Sequence, residues 1–162
     1  MSYEELINEA ASQGLIVKEK PIDGYGGRIF KNRIAINKNL TGKEKAAVLA
    51  EELGHHYTSV GDILDQTDIR NRKQERKARS WGYQKLIQPR DIAIACLSGC
   101  HTAYDLSEYL DLPQPYVEEA LQYFSEAYGE QRIYFSDCAI QFAPKVRIWK
   151  ECNIIYVDFG SR

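Results

Sequence analysis

No stretch of this chain is apolar for long enough to span a bilayer, which takes about 20 residues in a helix. The first residues, Met1-Ser2-Tyr3-Glu4-Glu5, lack the basic and apolar regions of a secretory signal, so the expected compartment is the cytoplasm. Neither sign of charge dominates: 21 Lys and Arg stand against 23 Asp and Glu, a net charge of -2. That balance makes neither nucleic acid nor an anionic membrane an obligatory partner. Internal repeats and low-complexity tracts are absent. Cysteines are few, and in a cytoplasmic chain Cys96, Cys100, Cys138 and Cys152 read as reduced thiols, not a disulfide frame. Cys96 and Cys100 lack a second ligand pair except for distant Cys138, which argues against a structural zinc between them. What is present, 162 residues that are 44% hydrophobic, suffices for one compact domain that folds without staples.

The first helix is expected over Tyr3 to Ala11, where Leu6, Ile7, Ala10 and Ala11 share one side, with Gly14 as its stop. Leu15 to Lys20 reads as a strand, and Gly24-Tyr25-Gly26-Gly27 as a turn. Arg28 to Asn37 reads as a second strand region with a hairpin near Asn32, in which Phe30, Ile34 and Ile36 face one way. Thr41 and Glu44 have the spacing of a capping box, which opens a helix to about Tyr57. Residues 59–68 read as a loop, and a long helix follows from about Asp68 to Ile87, stopped by Pro89. Asp91 is placed to cap a short helix, Ile92 to Leu97. Thr102 to Leu110 and Pro115 to Tyr128 read as a helix pair, and β character follows in Arg132 to Phe142, Val146 to Trp149 and Ile154 to Val157.

Chemistry concentrates in Leu49-Ala50-Glu51-Glu52-Leu53-Gly54-His55-His56-Tyr57. Residues four apart share a helix face, so Glu51 and His55 can address one point, with Glu52 a quarter turn away. This is the pattern of a metallopeptidase helix, with ligands at the first and fifth positions and a general base at the second. Gly54 leaves room beside a metal. A register with Glu52 and His56 as ligands satisfies the same spacing. One helix supplies too few ligands, and the long helix offers Glu75, which lies with Ala78 and Gly82 on a small-residue face suited to packing inward. Arg72 and Arg79 flank that face as rival ion-pair partners. A bland reading competes: Glu–His pairs at this spacing are common on solvated helices, and a carboxylate among basic residues is commonly a surface ion pair.

The string Leu49 to Thr58, together with Gly61-Asp62-Ile63 and Glu75-x-x-Ala78-x-x-Trp81-Gly82, resembles the active-site region of the ImmA/IrrE family of metallo-endopeptidases. The likeness runs on through Tyr104-Asp105-Leu106-x-Glu108-Tyr109-Leu110 and the helix after it, from about Thr41 to Tyr128. It implies a zincin-like fold and a zinc-dependent peptidase. Members of the family often accompany phages and mobile elements, where they relieve repression by cleaving a helix-turn-helix repressor. Carried over by position, His55 matches a metal ligand, Glu52 the general base and Glu75 the carboxylate ligand of the second helix. The first motif position departs from the family's His, because here it is Glu51.

Zinc accepts carboxylate oxygen, so Glu51 can serve as a ligand. One His and two carboxylates are formally neutral with a divalent ion, whereas two His and one carboxylate leave it positive. The loss weakens the Lewis acid and moves the preference toward harder ions, so zinc is the favoured cofactor and manganese the alternative. His56 and Tyr57 are the candidate oxyanion or substrate contacts.

The expected architecture is α+β: a helical body with a small N-terminal sheet, a helix pair over 102–128, and a β-rich tail. The domain-like part is expected over 1–128, with 129–162 packed on it. The second helix of the pair carries Glu118, Glu119 and Glu126 and no basic residue, so it repels phosphate and suits a protein partner better than DNA. Its aromatics Tyr116, Tyr123, Phe124 and Tyr128 read as core. A non-catalytic antirepressor and, further off, a DNA-binding regulator are the alternatives to a peptidase.

Overall fold

A computed structural model describes residues 1–58, 69–151 and 153–159, with the side chains of 69–71 left aside. The loop expected over 59–68 lies outside the described residues. The fold is α+β, as the sequence patterns require, and the chain divides into two compact units, Met1–Leu86 and Ile87–Arg162.

In the first unit, α1 (Tyr3–Ser12) begins with a capping box: Glu5 N–H donates to Ser2 Oγ, and Ser2 N–H donates back to the Glu5 carboxylate. β1 (Ile16–Lys20), β2 (Gly27–Phe30) and β3 (Arg33–Asn37) form a sheet in the order β1-β3-β2. β1 runs parallel to β3, and β2 runs antiparallel to it as an edge strand. Lys31 and Asn32 turn the β2–β3 hairpin, with Lys31 at φ 55. That turn corrects one expectation. Directly paired residues share a face, and the register pairs Ile29 with Ile34 and Phe30 with Arg33. Phe30 therefore stands with Arg33 and is 66% exposed, while Ile34 and Ile36 are buried. The alternation was carried across the turn without the change of parity that a two-residue loop imposes.

Helix α2 (Gly42–Thr58) opens with the expected box: Thr41 N–H donates to the Glu44 carboxylate at 2.8 Å, and Glu44 N–H to Thr41 Oγ1 at 3.3 Å. It buries Ala46, Leu49, Ala50, Leu53 and Gly54, a stripe at the three-and-four spacing of one face. That stripe packs on β2, β3, α1 and above all α3 (Ile69–Leu86). Burying Ile34, Ile36, Leu49 and Leu53 from solvent contributes about 1.5–3 kcal/mol for each side chain.

The second unit, Ile87–Arg162, begins with a helix. The long helix α3 ends at Leu86, just ahead of Pro89 as expected, and Pro89 itself occupies the first turn of α4 (Pro89–Leu97), three residues before the expected start at Ile92, where its missing N–H leaves nothing unpaired. Asp91 accepts from Gln88 N–H and so caps this longer helix from inside. α5 (Ala103–Leu110) packs on α6 (Gln114–Tyr128), and α4 lies on the meander β4 (Ile133–Tyr134), β5 (Ala139–Gln141), β6 (Val146–Lys150), β7 (Asn153–Val157). Ile133, Ile140, Ile148 and Ile155 stand in one register row across all four strands. Phe124 is fully buried and stacks on Phe142 at 5.2 Å, which assigns it to the core, whereas Tyr116, Tyr123 and Tyr128 are half-buried. The change of character near Gly129 falls within this unit, and the division between units falls at Leu86/Ile87.

Candidate metal centre

Two helices build the centre, and glycine sets their distance. A Cβ at Gly54 would run into the backbone carbonyl of Ala78 on α3. Ala78 is itself fully buried and Gly82 is buried one turn on, so α2 and α3 meet backbone to backbone along small residues. Gly54 thus serves the helix contact; the sequence reading had assigned it the space beside a metal. The same close approach turns Glu75, three residues before Ala78, toward His55, four residues after Glu51.

His55 Nε2 lies 3.5 Å from Glu75 Oε1. One ligand atom each from Glu51, His55 and Glu75 falls within 4.8 Å of the other two, and this is the only such group of three among the described residues. Two ligands about 2.1 Å from a tetrahedral zinc stand about 3.4 Å apart. The His55–Glu75 separation matches that spacing, and it is long for a hydrogen bond. His55 Nδ1 is buried with no hydrogen-bond partner among the described residues. The donor set and its spacing fit a divalent cation.

Glu52 stands beside this group with a different environment. Burial pushes its carboxyl up to about 7, and the neighbouring carboxylates of Glu51 and Glu75 push the same way. The Ile29 N–H, which donates to it, and Arg28 pull in the other direction. Ile29 belongs to β2, an edge strand of the sheet. Gly26 and Gly27 bring that edge onto α2, since a Cβ at either position would overlap the Val48 side chain. The edge strand and the acid of the α2 helix are therefore in direct contact.

The sequence-derived residues divide cleanly. Glu51, His55 and Glu75 converge, with Glu52 adjacent. His56 is exposed and outside the group, so the Glu52/His56 register finds no third ligand among the described residues. Tyr57, 41% exposed, lies against Trp81 at 4.9 Å between ring centres, with His56 edge-on to it at 5.0 Å. Arg79, whose spacing suggests Glu75 as a partner, donates from its Nε to Glu51 Oε1 at 3.2 Å. Neither that partner nor the Ile29 N–H was identified from sequence. The helical spacing of Glu75 and Arg79 was visible, but not the second helix that receives the guanidinium. Cys96 and Cys138 are buried free thiols and Cys100 is half-buried.

Residues 10–112 match the family described as the IrrE N-terminal-like domain, peptidase family M78. No curated protein matches the chain. Among solved structures, a Mycobacterium tuberculosis transcriptional regulator is similar, with a TM-score of 0.57 and 15% identity over 74% of this chain. The match spans 40% of that regulator, and at this identity the likeness concerns the fold. No described helix is long and apolar enough to cross a membrane.

Proposed function

From the premise that this chain belongs to the family of the IrrE N-terminal-like domain, a metallopeptidase family, we propose that it is a metal-dependent endopeptidase acting on a helix-turn-helix repressor of a phage or mobile element. The observation that carries the proposal is the convergence of Glu51, His55 and Glu75 from two helices, with Glu52 next to them. Zinc is the proposed ion and manganese its alternative, since the donors are one nitrogen and two carboxylates. When bound there, the ion supplies Lewis acidity toward the scissile carbonyl and lowers the pKa of water.

The remaining work belongs to the chain. Glu51, His55 and Glu75 hold the ion. Glu52 takes the proton of the attacking water and delivers it to the leaving amine, a task suited to a carboxyl titrating near neutral pH. The outer edge of β2, unpaired with any other strand among the described residues, offers backbone groups to an extended peptide, so a substrate strand added there would pass Glu52. The repressor as substrate rests on the family resemblance, and the cytoplasm is the compartment that goes with it.

The test pairs Glu52→Gln with the parent chain on a helix-turn-helix repressor. Cleavage by the parent should fall by about 10²–10⁴-fold in the variant while zinc binding persists. Equal cleavage by both would sink the mechanism. One observation favours a second reading, an antirepressor that binds without cutting: Glu51, where the resemblance implies a histidine, is engaged by Arg79. Repressor binding without zinc uptake would select it.

A further inference from the structure

The substitution of Glu51 for a histidine changes two properties of the site at once. It adds a negative charge, and it exchanges a ring that carries its own second nitrogen for a carboxylate that turns about its last torsion. Both changes meet Arg79. This residue lies four positions after Glu75 on α3, so the helix that brings one carboxylate to the site also brings a guanidinium to the other. Its Nε donates to Oε1 of Glu51 at 3.2 Å, and one carboxylate oxygen of Glu51 is among the three convergent ligand atoms. The guanidinium is half-exposed, 49% against 31% for Glu51, so it is not a deeply desolvated charge that must be neutralised for folding.

We propose that Arg79 is a positioning residue for Glu51, fixing the carboxylate as a metal ligand and offsetting the charge it adds. The inference rests on the metal-binding reading above. Its charge arithmetic is simple. Glu51, His55 and Glu75 with a divalent ion sum to zero, and Arg79 brings the total to +1, the value of a set with two histidines and one carboxylate. The bound ion thereby regains the electrophilicity that a neutral site would lose. Arginine serves because its charge is permanent and its planar donors orient a carboxylate, which the point charge of lysine does less well.

A double-mutant cycle on the full chain tests this, with zinc and manganese affinities measured by competition with a chromophoric chelator. Arg79→Gln in the parent chain should weaken zinc binding about tenfold or more and shift the zinc-to-manganese preference toward manganese. Arg79→Lys should recover part of the loss. In the Glu51→His background the bond from Arg79 to the Glu51 carboxylate is gone while the positive charge stays near the ion, so there Arg79→Gln should leave zinc affinity unchanged or raise it. That reversal of sign is not the behaviour of a merely structural arginine, and metal-free melting curves identify any variant that fails to fold. Zinc affinity that is unchanged or higher for Arg79→Gln in the parent chain overturns the inference, because Arg79 would then compete with the ion. Loss of zinc binding in His55→Ala alongside that outcome leaves the metal reading standing. No saturable zinc binding by the parent chain defeats both.

Discussion

Helices α2 and α6 use the same residue spacing to different ends. On α6, Gln114 donates to Glu118 at 2.9 Å and Gln122 to Glu126 at 3.1 Å, so partners four apart satisfy each other in solvent. On α2, Glu51 and His55 are also four apart, yet each addresses α3, through Arg79 and Glu75. The neighbours explain the difference. Around α6 the contacts are filled by Phe124, Phe142 and Tyr128, whose large rings stack at 5.2–6.1 Å. Around α2 the contact is made by Gly54, Ala78 and Gly82, and helices that approach this closely bring flanking side chains of both within reach of one ion. Spacing along one helix makes a pair; a small-residue contact with a second helix makes a site.

The comparison can be broken most forcefully at the two packing centres. Phe124→Ala should destabilise the protein by about 3–5 kcal/mol, read by thermal or denaturant unfolding, while zinc affinity of the folded chain stays the same. Gly54→Ala should destabilise by about 3 kcal/mol, because backbone rather than a movable side chain occupies the space. Unlike Phe124→Ala, it should also abolish zinc binding, and a Gly54→Ala chain with normal zinc affinity would refute the account of the helix contact.

Next in size is the effect of the ion. Free zinc at 100 times its Kd should stabilise the parent chain by about 2.7 kcal/mol, and Glu75→Gln or His55→Ala should lose that gain in melting curves. The metal-free chain should depend on pH through Glu52. Its folded pKa of about 7 lies above the ordinary 4.5, so between those values the folded state binds more protons than the unfolded one. Stability should therefore fall as pH rises from about 4.5 to about 7, by on the order of 2 kcal/mol, and Glu52→Gln should flatten that slope. The smallest effect belongs to α6: Glu126→Gln should change stability by less than about 0.5 kcal/mol and leave zinc binding unaffected.

The local signals in the sequence were good guides where one element decides the outcome. The Thr41–Glu44 box, the Asn32 turn and the Glu51–His55 face all follow from neighbours within a few residues, and all are found in the structure. Expectations failed where two elements decide together. Phe30 changed faces because its partner Arg33, across the turn, set its parity. The helix expected from Ile92 starts three residues earlier, at Pro89, because the proline that closes off α3 also suits the first turn of α4. Glu75 was legible as inward-facing through Ala78 and Gly82, but the guanidinium of Arg79 on Glu51 depends on how closely the helices approach, which no single-helix periodicity encodes.

The backbone contact at Gly54 has one further consequence. Main-chain atoms set the separation of α2 and α3 there, so the scaffold is indifferent to which donor occupies position 51. An imidazole or a carboxylate can be exchanged at that post without resetting the spacing of the others. The architecture thus separates where a ligand stands from what it is, and leaves coordination chemistry open to revision by single substitutions.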